Sequence, residues 1–201
     1  MIERRSSMQI PMELRTGRLV LRPWRAEDAT LLHPILDTNW EHLAPWIPAR
    51  IADPASIPVL AQRLAGFAAD FIGDREWRYG IFTPDARILG ELSLFSRATD
   101  GRVAYTDADR AEIGYWLRAD ATGQGFATEA ARSVLAVAAG LPRFSLAEIR
   151  CDASNASSAA VPRRLGFLHT ATIIEPVATS TEPPVHLQVW TSALSNGIIG
   201  A

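Results

Sequence analysis

Gly123 and Gly125, with one residue between them, lie between a strand pattern and a helix pattern. Residues 112–117 alternate in polarity and contain Ile, Tyr and Trp, which predicts a half-buried strand. After the glycines, apolar residues recur at helical spacing as far as Gly140, where we expect the helix to end. Glycine lets the backbone approach a ligand closely, and a helix N-terminus offers free N–H groups and a positive dipole end. We therefore predict a phosphate or diphosphate site on the backbone of Gly123, Gln124, Gly125, Phe126, Ala127 and Thr128.

Two other glycine-rich phosphate motifs fit this turn poorly. A P-loop needs a lysine after its second glycine, and the chain contains no lysine. A dinucleotide fingerprint needs Gly or Ala at the position that Thr128 occupies, and it normally lies in the first βαβ unit. Taken alone, the segment is also compatible with a strand-turn-helix that binds nothing.

Further motifs follow the predicted helix in a fixed order. Residues 146–152, LAEIRCD, predict a strand, and the pattern N-x-x-S-x-x-V-x-x-R-L-G-F begins directly afterwards at Asn155. Together with EIGYWL and TGQGFATEA, this order resembles the GNAT acetyltransferase superfamily, and within it the RimJ/RimL branch, which acetylates amines with acetyl-coenzyme A (acetyl-CoA). Residues 16–23 resemble the first strand of that branch, and residues 41–48 resemble its helix-linking segment.

The resemblance covers residues 14–194 and has one departure. The superfamily pattern is Arg/Gln-x-x-Gly-x-Gly/Ala, and Asp120 occupies its first position, so a side-chain contribution to diphosphate binding is not expected there. The resemblance implies one α/β domain with a mixed central sheet of about six or seven strands flanked by helices. Acetyl-CoA would lie where the two central strands splay apart. We assign residues 13–195 to this domain, residues 1–12 to a mobile arm and residues 196–201 to a tail.

The remaining elements follow from periodicity and turn signals. Helices are expected over residues 26–36 and 57–72, with a proline-interrupted connection over residues 40–58 between them. Strands are expected over residues 18–22, 77–82, 88–95, 170–174 and 185–194, and loops over residues 97–110 and 175–184.

Acetyl transfer to an amine requires a proton acceptor, a polarised carbonyl and a donor for the departing thiolate. Glu112 shares a strand face with Gly114 and Trp116, so it is our candidate base, directly or through water. A strand carboxylate paired with an arginine is the alternative, and Glu91 is the reserve candidate. The resemblance points to Ser158 as the donor to the thiolate and to Asn155 and Ser158 as cofactor-binding residues. The alternative is that Ser158 is an ordinary small residue in the first turn of a helix whose N-cap is Asn155.

The resemblance also suggests where the two substrates lie. Backbone N–H groups near Leu117 and Arg118 would hold the pantetheine arm, and Trp46 and Trp116 would contact the acceptor. We expect the loops of residues 97–110 and 175–184 to bound the acceptor pocket. Three aspartates of the first loop could attract a cationic amine or simply be solvated: Asp100, Asp107 and Asp109.

Composition limits the function further. The chain of 201 residues is 48% hydrophobic, and we see no membrane-spanning run and no signal-peptide pattern, which predicts a cytoplasmic protein. Cys151, the single cysteine, is expected to be a buried structural thiol, and the four histidines have no metal-ligand spacing, so we expect no metal. The net charge of −2 argues against nucleic-acid binding. The sequence leaves monomer and homodimer equally open.

These observations predict an N-acetyltransferase that uses acetyl-CoA and a primary amine, either a protein N-terminus or a small amine such as an antibiotic or amino acid. Two alternatives remain at this point. A non-catalytic acyl-CoA-binding module would keep Gly123, Gly125 and Asn155 but would not need Glu112. A dinucleotide-binding oxidoreductase is a more remote alternative.

Overall fold

One mixed β-sheet runs through the chain in a computed structural model that describes residues 10–175 and 185–194. Within these residues the strands are β1 Leu14–Arg15, β2 Val20–Pro23, β3 Trp77–Phe82, β4 Ile88–Ala98, β5 Gly101–Arg102, β6 Arg110–Leu117, β7 Leu146–Asp152, β8 Leu168–Glu175 and β9 Val185–Ala193. The helices are α1 Ala29–Thr38, α2 Trp40–Leu43, α3 Ala49–Ala52, α4 Ile57–Ile72, α5 Phe126–Ala139 and α6 Ala156–Arg164. The α/β fold with a mixed sheet flanked by helices is confirmed, and seven of the strands have four residues or more.

The strand order is β1-β2-β3-β4-β6-β7-β9-β8, with β5 paired to β4. Every pairing is antiparallel except that of β6 with β7. The parallel pairing begins at Arg110 with Leu146 and ends at Ile113 with Ile149. Beyond that point β6 continues to Leu117 and β7 to Asp152 without pairing to each other, so the sheet opens in its middle. This is the predicted splay between the two central strands.

Helices cover the two faces of the sheet with separate apolar clusters. Trp116 of β6 packs with residues of α1 and α4, including Leu36 and Leu60. Ile113 of β6 belongs to the other cluster, with Val134 of α5. Alternate residues of one strand therefore face different helices, as the period of a β-strand requires. Glu112, two positions from Gly114 and four from Trp116, lies on the face of α1 and α4.

Several element bounds differ from those predicted. The connection of residues 40–58 contains α2 and α3, whose four residues each are too few to give a helical period. The predicted loop of residues 97–110 is wrong at its start, because β4 continues to Ala98 and pairs with β5. The domain also begins earlier than predicted: Ile10 is buried, and the Tyr79 hydroxyl donates to the Pro11 carbonyl at 2.7 Å. Residues 176–184, most of the second predicted loop, lie outside the described residues.

Candidate active site

A groove of about 1230 Å³ passes through the opening between β6 and β7. Its walls are the turn before α5, the first turn of α6, the segment from α2 to α3, and the exposed ends of β6, β7 and β9. The groove thus reaches both faces of the sheet. The opening in the sheet determines where it runs.

The turn before α5 presents six consecutive backbone N–H groups without an acceptor. Within the described residues, the N–H groups of residues 123–128 donate to no carbonyl, and the first bond of the helix runs from Glu129 N to Gly125 O at 3.0 Å. Gly123 and Gly125 have φ values of 73° and 83°, a left-handed conformation that favours glycine. The buried Thr128 hydroxyl also lacks a partner in the described part of the chain. This arrangement matches the predicted diphosphate site.

Arg18 fixes this turn from outside the groove. Its guanidinium donates to the Gln124 carbonyl at 3.0 Å and to the Glu129 carboxylate at 2.7 Å, and it lies 4.6 Å from the ring centre of Phe126. The Thr16 hydroxyl donates to the same carboxylate. The sequence identified this segment only as a first strand. Its positioning role was missed because nothing local connects Arg18 to a turn more than 100 residues later.

Asp120 and Arg118 are paired with each other away from the groove. Arg118 donates to both carboxylate oxygens of Asp120, at 2.6 and 2.9 Å, and neither residue lines the groove. The charge of Asp120 is therefore largely compensated. The prediction for the Arg118 backbone is wrong, because its N–H donates to the Leu89 carbonyl at 2.9 Å. Successive backbone N–H groups of a strand point to opposite sides, so the N–H of Leu117 points away from β4 and toward the opening between β6 and β7.

The first turn of α6 brings Ser158 to the groove. The Asn155 side chain accepts a hydrogen bond from the Ser158 N–H at 2.9 Å, so the predicted N-cap is confirmed. The Ser158 hydroxyl donates to the Tyr115 hydroxyl at 3.3 Å, and that hydroxyl donates to the Ser158 carbonyl at 2.9 Å. Burial raises the pKa of Tyr115, so its hydroxyl keeps its proton. Sequence reasoning missed Tyr115, although alternation places it on the same face as Leu117.

Glu112 lines the groove and is held by two arginines. Its carboxylate lies 2.7 Å from Nη1 of Arg97 and 3.2 Å from Nε of Arg102. Burial alone would raise the pKa of Glu112, but the Arg102 and Arg97 guanidiniums outweigh burial and hold that pKa below its ordinary value. Glu91, the reserve candidate, does not line the groove and pairs with Arg78 at 2.9 Å. Of the two candidates, Glu112 is the one that lines the groove.

Comparison with known proteins agrees with this geometry. The family profile described as "Acetyltransferase (GNAT) domain" matches residues 18–168. The chain belongs to the GNAT acetyltransferase family. No significant match was found among curated proteins.

Solved structures of similar fold include several acetyltransferases related to RimL and RimJ. A ribosomal L7/L12 α-N-protein acetyltransferase, RimL, in complex with coenzyme A has a TM-score of 0.77 at 19% identity, over 94% of this chain and 99% of its own. RimJ from Mycobacterium smegmatis has a TM-score of 0.70 at 24% identity, over 87% and 81%. The microcin C7 self-immunity acetyltransferase MccE, in complex with acetyl-CoA and AMP, has a TM-score of 0.71 at 16% identity, over 89% and 93%.

Membership in the GNAT acetyltransferase family makes acetyl-CoA the acetyl donor, as predicted. The described residues fit it, because the N–H groups of residues 123–128 and the orphaned Thr128 hydroxyl are donors suited to a diphosphate. In the described part of the chain, no group of three or more His, Cys, Asp or Glu side chains is arranged to hold a metal. The helices described there are also too short or too polar to cross a membrane.

The residues predicted to contact the acceptor line the part of the groove that includes Glu112. Trp46, which is 41% exposed, and Trp116, which is 6% exposed, both line it, and the buried indole N–H of Trp116 lacks a partner among the described residues. None of the three aspartates of residues 97–110 lines it, whereas Arg97 and Arg102 do. His42, which sequence reasoning did not place here, approaches the Leu117 carbonyl with Nε2 at 3.2 Å.

Cys151 also lines the groove, near the first turn of α6. It is 6% exposed, and burial raises the pKa of its thiol. A thiol in that state is a poor nucleophile at neutral pH. The structure thus agrees with its assignment as a buried structural thiol.

Proposed function

We propose that this GNAT protein transfers the acetyl group of acetyl-CoA to a primary amine, a protein N-terminus or a small-molecule amine, by direct attack of the amine on the thioester. One observation carries the proposal. A single groove connects the N–H groups of residues 123–128, through the opening in the sheet, with the carboxylate of Glu112. The diphosphate of acetyl-CoA and the amine that Glu112 receives would therefore both bind along this one groove.

Glu112 acts on the amine in this proposal. A protonated amine cannot attack, and an attacking nitrogen develops positive charge. Since the pKa of Glu112 is lowered, its carboxylate stays ionised and is a weak base, so it accepts a hydrogen bond from the amine or from a bridging water and stabilises that charge. Arg97 and Arg102 hold the carboxylate in place.

Ser158 and Tyr115 supply the hydroxyls on the other side of the opening. Ser158 is the proposed donor to the departing thiolate, first as a hydrogen-bond donor and then as a source of the proton. Its hydroxyl is 3.3 Å from that of Tyr115, so the two groups act as a connected pair. Asn155 fixes the first turn of α6 and with it the position of Ser158. The Leu117 amide, turned toward the opening, would hold the pantetheine arm.

A matched pair of substitutions tests the role of Glu112. Glu112→Gln should lower turnover by roughly 10²- to 10³-fold, the range typical of losing one group that stabilises charge in the transition state. Its dissociation constant for coenzyme A should change little, because the diphosphate contacts lie in the turn before α5. Steady-state kinetics with thiol detection would give turnover, and calorimetry would give the dissociation constant.

Glu13→Gln is the control, since Glu13 is an exposed carboxylate paired only with Arg15. It should behave as the wild type does. Near-normal turnover in Glu112→Gln would show that the charge of Glu112 does not assist the amine. Coenzyme A binding without any amine-dependent turnover in the wild type would instead favour the non-catalytic binding module.

A further inference from the structure

The groove is rich in arginine on its acceptor side. Among the residues that the structure describes, five arginines and two carboxylates line the groove: Arg50, Arg97, Arg102, Arg150 and Arg164 against Glu112 and Asp152. Arg164 belongs to α6, whose first turn borders the diphosphate side. Arg97 and Arg102, in contrast, contact Glu112 directly, at the position assigned to the amine.

The carboxylates next to these arginines do not accept hydrogen bonds from all of the guanidinium N–H groups. Glu112 meets two guanidiniums, and Glu148, which lies deeper at 1% side-chain exposure, meets Arg97 at 3.2 Å and Arg110 at 3.3 Å. Each of these two carboxylates therefore contacts more than one guanidinium. Guanidinium groups are therefore in excess around Glu112. A carboxylate of the acceptor would be attracted to this positive charge.

Specific N–H groups are left over. Within the described residues, Nη2 of Arg97 has no hydrogen-bond partner, whereas its Nη1 donates to Glu112 and its Nε lies 3.2 Å from a carboxylate oxygen of Glu148. Arg102 directs Nε and Nη2 at one oxygen of Glu112, which leaves Nη1 without a partner in the same part of the chain. The Arg102 guanidinium carbon lies 3.4 Å from the ring centre of Phe95, so stacking fixes its plane. These N–H groups of charged guanidiniums, Nη2 of Arg97 and Nη1 of Arg102, remain free to donate to an acceptor oxygen of a ligand, and such charge-assisted hydrogen bonds are the strong ones.

We propose that the acceptor carries a carboxylate within a few bonds of its amine and that Arg97 and Arg102 bind this carboxylate. The inference rests on the proposed function, because Glu112 defines where the amine lies. Since Arg102 contacts an oxygen of Glu112, an anion on Arg102 is next to that amine. A peptide N-terminus with Asp or Glu at its second position and a free amino acid both present this chemistry. A polycationic amine, such as a cationic antibiotic, would be repelled by the same arginines.

Peptides that differ in one atom group provide the test. Two peptides with N-terminal Ala, one with Asp and one with Asn at the second position, are compared by kcat/KM with wild-type protein, Arg102→Gln and Arg87→Gln. Arg87 is an exposed control that pairs with Asp85 in the turn between β3 and β4. We expect the wild type to prefer the Asp peptide by about 10-fold or more, the range of a hydrogen bond to a charged group. High salt should reduce the preference.

The ratio of the two peptides is the decisive quantity, because any effect of Arg102→Gln on Glu112 changes both rates alike. This ratio should approach one in Arg102→Gln and stay at the wild-type value in Arg87→Gln. If coenzyme A still raises the melting temperature of Arg102→Gln, this variant is folded. Free alanine against alaninamide, which lacks the α-carboxylate, is a further arm that distinguishes an amino acid from a peptide as the natural source.

Equal kcat/KM for the Asp and Asn peptides in the wild type, or an unchanged ratio in folded Arg102→Gln, would overturn the proposal. If no amine is acetylated at all, the proposed function fails, and calorimetric binding of the same two peptides to the protein loaded with coenzyme A decides the inference separately. Tighter binding of the Asp peptide supports it. Equal binding, or none, overturns it.

Discussion

Glu112 is the residue whose protonation state bears most directly on acetyl transfer. It is 6% exposed, and burial would raise its pKa were it not for Arg102 and Arg97, which together lower that pKa below the ordinary value of 4.5. The carboxylate is therefore ionised throughout the range in which amines titrate. The low pKa also explains how an ion-paired glutamate can assist the amine. Its negative charge, and not its basicity, stabilises the positive charge that develops on the attacking nitrogen.

This state of Glu112 predicts the pH dependence of the reaction. The rise of kcat/KM with pH should follow deprotonation of the acceptor amine and not of Glu112. Two acceptors whose amine pKa values differ by about two units, such as a peptide α-amine and a more basic alkyl amine, should give midpoints that differ by the same amount. Rate profiles measured from acid to alkaline pH would show this directly. A common midpoint for both amines would indicate that a group of the protein controls the rate.

Among single residues, the sequence located those that act through local patterns. Asn155 as an N-cap and the glycines of the turn follow from neighbouring residues alone, so spacing identified them. Arg97, Arg102 and Tyr115 were missed, because their roles arise only when distant segments pair. Phe95 lies opposite Glu112 through the register of β4 and β6, which brings both arginines to the carboxylate.

At the level of elements, the turn before α5 carries the donor site. Gly123 has a left-handed φ of 73°, and a Cβ placed there would meet no protein atom within 4 Å. Gly123 lines the groove, so we expect a side chain at this position to take up space that the diphosphate would need. Gly166, which follows α6, has a similar φ of 81° and is equally open, but it does not line the groove.

The two glycines form a matched pair for substitution. Gly123→Ala and Gly166→Ala should each cost about 1–2 kcal/mol of stability, since both force an L residue into a left-handed conformation. Only Gly123→Ala should weaken coenzyme A binding, and we expect its dissociation constant to rise by an order of magnitude or more. Denaturant unfolding and calorimetry would measure the two quantities. Equal binding in both variants would move the diphosphate away from this turn.

Element boundaries show the same division between local and distant causes. The structure has α4, β3 and β7 over the predicted residues, because each has a clear apolar period. The short helices α2 and α3 and the extension of β4 to Ala98 were not predicted. Four-residue helices have no measurable period, and the extension of β4 depends on its pairing with β5 and β6.

At the level of the whole molecule, function depends on where the sheet stops pairing. The parallel contact of β6 with β7 covers only four residue pairs, and every neighbouring strand pair that flanks it is antiparallel. This short contact opens the sheet between its two halves, and the turn of α5 and the first turn of α6 both face the opening. Sequence motifs predicted the opening through a family resemblance. Strand registers were needed to show which side chains reach it.

The central claim is that this groove transfers acetyl from acetyl-CoA to a primary amine. The most direct measurement is the release of free thiol from acetyl-CoA by wild-type protein with a mixed panel of primary amines, with mass spectrometry of the amines. We predict amine-dependent thiol release, an acetylated amine in equal amount, and no release beyond the background rate when the amines are omitted. Coenzyme A should also raise the melting temperature, which shows that the protein is folded and binds. A raised melting temperature without amine-dependent thiol release, on a panel that includes peptides and amino acids with carboxylates near the amine, would contradict the account.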